Sequence, residues 1–154
     1  MLTASEKLAQ RLAIGVPALL LGGAYVSQYG FGLVACEMCW WQRYAHFAAL
    51  ALALASTLLA PKRVWIALAG IAILVAGLIG GFHAGVEYGW WEGFTTCSSL
   101  DLGTDPLEAI MNAPLVRCDE VQWSLFGISL AGFDFLISSV AGIAILLLLR
   151  RKTR

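Results

Sequence analysis

Four cysteines are the residues of this 154-residue chain best suited to chemistry: Cys36, Cys39, Cys97 and Cys118. The first two bracket the tetrapeptide Cys36-Glu37-Met38-Cys39. A bridge between residues three apart closes a very small loop, removes little unfolded-state entropy and is a poor staple. Such spacing suits a redox pair in which one thiol has a lowered pKa. Cys39 is expected at the N-terminus of a helix, where the dipole favours a thiolate. Arg43 stands four residues further on, on the same helical face, placed to hold that thiolate or to donate to an acceptor's carbonyl. His46 extends the stripe Cys36, Cys39, Arg43, His46 in steps of three, four and three. It is a candidate proton source for redox chemistry at the cysteines; a hydrogen bond inside the fold is its other use. His83 has the same two readings, as a lining residue of the pocket with Arg43 or as a satisfied interior histidine.

The elements that must position these residues are membrane helices. The chain is 60% hydrophobic and 13% charged, against about 45–50% and about 25% for soluble domains. Leu12–Cys36, Tyr44–Pro61 and Val64–Val86 contain no Asp, Glu, Lys or Arg, and Val121–Leu149 contains only Asp134. A spanning helix needs roughly 20 apolar residues, and backbone satisfaction in lipid makes such segments helical. The expected fold is therefore all-α: one membrane domain over 1–154, a four-helix bundle with spans at about 12–35, 42–60, 64–85 and 125–149. The connections at about 36–41 and 86–123 then share one side. Asp134 is an intramembrane carboxylate, a functional candidate by default, although hydration near the interface is an equally simple use for it.

Charge orients the bundle. Lys7, Arg11, Lys62, Arg63, Arg150, Arg151, Lys152 and Arg154 fall on one side of a four-span arrangement, and only Arg43 and Arg117 on the other. The positive-inside rule places both termini in the cytoplasm. All four cysteines fall on the opposite side, where disulfides form and persist. The formal net charge is zero, and no nucleic-acid partner is expected.

Cys97 and Cys118 lie in the longer outer connection. Between them, Asp105-Pro106-Leu107-Glu108 reads as a helix start, with Leu107, Ile110 and Met111 on one face and Pro114 at its end. A short amphipathic helix on the membrane surface, or one packed on the bundle ends, would tether this loop. Gly77, Gly81 and Gly85 repeat at the four-residue spacing that lets membrane helices approach closely. Leu33-Val34-Ala35-Cys36 also matches a lipoprotein processing box. The preceding segment is too long for a simple signal core, is interrupted by Gln28 and Tyr29, and is followed by three further spans, which argues against that reading.

Taken together, these motifs resemble a known family. Cys36-Glu-Met-Cys39-Trp-Trp-Gln42-Arg43 is similar to the C-x-x-C-x-x-(Q/E)-R signature of the disulfide bond formation protein B (DsbB) family. So are Gly85-Val-Glu-Tyr-Gly-Trp-Trp before Thr96-Cys97, and Cys118-Asp-Glu-Val-Gln-Trp-Ser-Leu-Phe-Gly127. Many relatives carry Pro two residues after the Arg, where this chain has Ala45. The resemblance implies a bacterial inner-membrane thiol oxidase that reoxidises a periplasmic DsbA-like thioredoxin-fold oxidase and passes electrons to ubiquinone or menaquinone. It implies redox disulfides Cys36–Cys39 and Cys97–Cys118, no metal, and a quinone site at Arg43, with His46 and His83 as further candidates. By position, Cys97 would take the mixed disulfide with the partner. Cys118 would leave and attack Cys36, and Cys39 would be released toward the quinone. Two inert structural disulfides, or a metal carrier using the cysteines with His46 or His83, are the competing classes.

Overall fold

A computed structural model describes residues 2–95 and 116–150. Four long helices make the body: α1 (Ala4–Phe31), α2 (Glu37–Leu58), α3 (Lys62–Glu87) and α4 (Leu130–Arg150). Three of them, α1, α3 and α4, are long and apolar enough to cross a membrane. The 22-residue α2 is diluted in its first half by Glu37, Gln42, Arg43 and His46, of which the last three are buried. These buried polar side chains mean that α2 faces its neighbours with its chemistry, and lipid with little of it.

Helix ends follow local rules. Thr3 caps α1 with a capping box: its hydroxyl accepts the Glu6 N–H, and the Glu6 carboxylate accepts the Thr3 N–H at 2.8 Å. Gly32 ends α1 in the left-handed conformation (φ 72°), which costs a glycine nothing. The first helix thus stops at Phe31 rather than near residue 35, and the second begins at Glu37 rather than 42.

The fourth helix also starts later than expected. Ser124–Leu125 and Ile128–Ser129 form a two-stranded antiparallel hairpin before α4, with Ser124 opposite Ser129. Its two central residues, Phe126 and Gly127, both have positive φ (52° and 79°), the geometry whose twist suits a two-residue hairpin. The Tyr88 hydroxyl just beyond α3 locks this hairpin in place, accepting the Ser129 N–H at 2.8 Å and donating to the Gly127 carbonyl at 3.0 Å.

α3 is the central helix and packs most extensively on α4 and α2. Small residues make the α3–α4 approach possible, as the glycine spacing suggested. A Cβ on Gly80 would lie 2.9 Å from Asp134 Oδ2 and 3.0 Å from the Ala131 carbonyl oxygen, and one on Gly77 would meet Ser138 and Ser139. At the end away from the cysteines, Ala9, Ala13, Ala53, Ile66, Ile73 and Ile145 belong to one fully buried apolar core. The expected surface helix at Asp105–Met111 lies outside the described residues.

Candidate functional site

Cys36 is the N-cap of α2. Its sulfur accepts the backbone N–H of Cys39 at 3.2 Å and donates to the Cys39 sulfur, 2.8 Å away. Both are free thiols here, the reduced form of the expected pair. The helix-end amide therefore caps on Cys36, while Cys39 stands in the first turn of α2, at the helix N-terminus as expected. The helix starts at residue 37, so Cys36 occupies the capping position and Cys39 the third helical one. The hydrogen bond to Cys39, and then burial, push the Cys36 thiol up. Cys39 receives that hydrogen bond as the more thiolate-like partner.

The stripe expected from spacing is present. Cys36, Cys39, Gln42, Arg43, His46 and His83 all line one cavity of about 250 Å³, walled otherwise mainly by apolar residues of α1 and α4. Arg43 is clamped deep in it. One guanidinium nitrogen donates to Gln28 Oε1 at 2.5 Å and another to the Ala24 carbonyl at 3.2 Å. The guanidinium lies 4.8 Å from the Tyr25 ring centre and 4.9 Å from that of Trp40, so two faces hold it by cation–π attraction. Arginine has five N–H donors, so two hydrogen bonds leave donors for a further acceptor in the cavity.

His83 reaches the pair from α3. Its Nε2 is 3.5 Å from Cys36 Sγ and its Nδ1 is 2.9 Å from the Gln42 amide. Glu87, one turn further along α3, brings Oε1 to 3.8 Å from the same Nε2. His46 instead turns toward α4, where its Nε2 meets Asp134 Oδ1 at 2.7 Å. The Ser138 hydroxyl donates to that same oxygen at 3.0 Å. His46 Nδ1 and Asp134 Oδ2 are buried and have no hydrogen-bond partner among the described residues.

Cys118 closes the site from above. It is disulfide-bonded and fully buried, in one apolar cluster with Cys36, Met38 and Val86. Its backbone is a hydrogen-bond partner of His83. The segment carrying Cys118 is fastened to the connection between α1 and α2 and braced within itself. The Gln122 side-chain amide pairs with the backbone of Val34, accepting its N–H at 3.0 Å and donating to its carbonyl at 2.7 Å. Arg117 forms a tight ion pair with Asp119, which holds the Asp119 carboxyl below its ordinary range. Cys97 lies outside the described residues.

The family model described as "Disulfide bond formation protein DsbB" matches residues 6–148. This chain belongs to the DsbB family. Among relatives named disulfide bond formation protein B, that of Verminephrobacter eiseniae is 32% identical over 93% of this chain and 85% of its own length. That of Polaromonas naphthalenivorans is 30% identical over 100% of this chain and 96% of its own. That of an Acidovorax species is 26% identical over 99% and 91%. No solved structure matches.

Three participants were not assigned a role from sequence. Asp134 was recognised as an intramembrane carboxylate, but pairing with His46 across 88 residues has no local signal. Gln42 read as part of a motif, not as the partner of His83. Glu87 fell in the expected connection at about 86–123, whereas α3 runs as far as Glu87 and its side chain is buried.

Proposed function

We propose that this DsbB-family chain is a quinone-dependent thiol oxidase of the bacterial inner membrane, with four spans and both termini cytoplasmic, that reoxidises a periplasmic DsbA-like dithiol oxidase. The observation that carries the reading is that Cys118 shares one buried cluster with Cys36, and that Cys36 and Cys39 both line the cavity that contains Arg43. Relay chemistry needs that order: a donor-facing sulfur on one side of Cys36 and an acceptor-facing sulfur on the other.

The exchange steps balance as follows. A partner thiolate attacks Cys97 of a Cys97–Cys118 disulfide, forming a mixed disulfide and releasing Cys118 as thiolate. The partner's second thiol, deprotonated, displaces Cys97 and leaves the partner oxidised. Cys118 attacks Cys36 of an oxidised Cys36–Cys39 pair, and Cys39 leaves as thiolate. Cys97 then closes on Cys118 and frees Cys36 as a thiol. The pair now holds two electrons. Each step is a thiolate attack on an accessible sulfur.

The cavity suits a quinone head group. Its walls are mainly apolar, Arg43 keeps donors free, and the unpartnered Nδ1 of His46 belongs to a lining residue. A quinone, ubiquinone or menaquinone, takes up two electrons and two protons when bound. This chain's contribution is to present Cys39 at the cavity, to place the Arg43 charge beside it, and to fix the His46 ring through its hydrogen bond with Asp134.

The test removes Cys39 and Cys97 by substitution with Ala and leaves Cys36 and Cys118. Mild oxidation should give an intramolecular Cys36–Cys118 disulfide, identified by peptide mass spectrometry. Free thiols, or bridges only between chains, would contradict the relay.

A further inference from the structure

The reduced pair is surrounded by more ligating groups than thiol exchange uses. Cys36 Sγ, Cys39 Sγ and one His83 ring nitrogen lie within 4.8 Å of one another, and all three can bind a metal. Glu87 is an independent sign that something belongs there. Its side chain is 8% exposed and hydrogen-bonded to Ser129, its Oε1 faces His83 Nε2, and its Oε2 is buried with no partner among the described residues. A buried carboxylate oxygen without a hydrogen bond is costly unless it has a cation to meet.

We propose that the reduced chain binds one zinc ion through Cys36, Cys39, His83 and Glu87, and that the ion blocks reoxidation of the pair. Two sulfurs, an imidazole and a carboxylate are an ordinary zinc set, with zinc–sulfur distances of about 2.3 Å and zinc–nitrogen distances of about 2.0–2.1 Å. The Cys36 Sγ to His83 Nε2 spacing of 3.5 Å already fits two ligands of one tetrahedron. The two sulfurs, 2.8 Å apart, must open to about 3.7 Å, a small side-chain rotation. Gln42 supplies the support that zinc histidines need. With its amide oxygen turned to Nδ1, it takes the Nδ1 proton, and His83 gives up its hydrogen bond to the Cys118 backbone so that Nε2 can offer its lone pair beside Cys36 Sγ.

Redox state would gate this site. Binding displaces the thiol protons to solvent, as zinc requires thiolates. Oxidising the pair joins the two sulfurs in a disulfide and removes both thiolate ligands, so the ion leaves. While zinc is bound, Cys39 cannot give up its electrons. The site itself stands on the geometry; the block on turnover rests on the proposed oxidase function.

The experiment uses the full chain with Cys97 and Cys118 replaced by Ser, purified in detergent and titrated with Zn²⁺ in a chelator-buffered series. Metal content and maleimide labelling of Cys36 and Cys39 are the readouts. The reduced chain should hold one zinc per chain and be protected from maleimide; the oxidised chain should hold none. Gln42→Ala should weaken binding about 10–100-fold. His83→Gln and Glu87→Gln should weaken it at least tenfold, while the exposed Glu92→Gln should not. Should His83→Gln fail to fold, Glu87→Gln and Gln42→Ala still decide. Zinc held equally by the oxidised chain, or with unchanged affinity in these variants, would overturn the site. Oxidation of the zinc-loaded pair by a short-chain quinone at the metal-free rate would overturn the block. A metal-free pair that no quinone oxidises would sink the oxidase function and leave the zinc site standing.

Discussion

His46 Nε2 and Asp134 Oδ1 meet at 2.7 Å between α2 and α4, both side chains nearly out of reach of solvent. The pair sits on the wall of the same cavity as Cys39, and the other nitrogen of His46 has no partner among the described residues. A histidine fixed on one side by a carboxylate has its tautomer set and its remaining nitrogen available for proton transfer. Asp134→Asn keeps the shape and a hydrogen bond but loses the charge. Quinone reduction should slow by about 10²-fold, with a larger solvent deuterium isotope effect and little change in the quinone KM. A purely structural pair would shift thermal stability and leave the isotope effect alone.

Arg43 is held by Gln28, Ala24, Tyr25 and Trp40 together. A lysine brings a point charge without the planar fork that serves several partners at once. Arg43→Lys should therefore fold but bind quinone about tenfold more weakly, read as a raised KM with thiol exchange between the two pairs unchanged. Normal quinone kinetics would remove Arg43 from the acceptor site.

Gln122 fastens the Cys118 segment to the connection between α1 and α2 through Val34. Each hydrogen bond contributes about 1 kcal/mol net. Gln122→Ala should lower the rate of Cys36–Cys118 exchange roughly tenfold, measured by quenched-flow thiol labelling. Reduction of quinone by a prereduced Cys36–Cys39 pair should stay at its original rate.

Gly80 lets α4 bring Asp134 against α3. The atoms facing its missing Cβ include backbone, which cannot rotate aside. Gly80→Ala should destabilise the bundle by about 1–3 kcal/mol and disturb the His46–Asp134 contact. A thermal-unfolding comparison in detergent checks the first effect, and an unchanged midpoint would refute it.

The helical class, three of the spans and the cysteine stripe were legible in the sequence because each rests on local periodicity or an unbroken apolar run. Spacing alone placed Arg43 and His46 on the face of Cys36 and Cys39. The glycine repeat likewise announced a close helix contact, although Gly80, outside the repeat, makes the approach to Asp134. Boundaries were less legible. Apolar length says where lipid can be crossed, but Gly32, the Cys36 cap and the Phe126–Gly127 turn decide where helices start and stop. Long-range polar pairs left no trace at all. His46 with Asp134, Gln42 with His83, and Gln122 with Val34 each join segments that only tertiary packing brings together.

The central claim is that thiol electrons pass through both cysteine pairs to a quinone. The most direct measurement mixes the purified chain with a reduced thioredoxin-fold dithiol protein and a short-chain ubiquinone under anaerobic conditions, and counts both products. One quinol should form for each partner disulfide, and Cys39→Ser should form neither beyond a single exchange. Partner disulfides appearing without quinol, or quinol forming at the full rate in Cys39→Ser, would contradict the account.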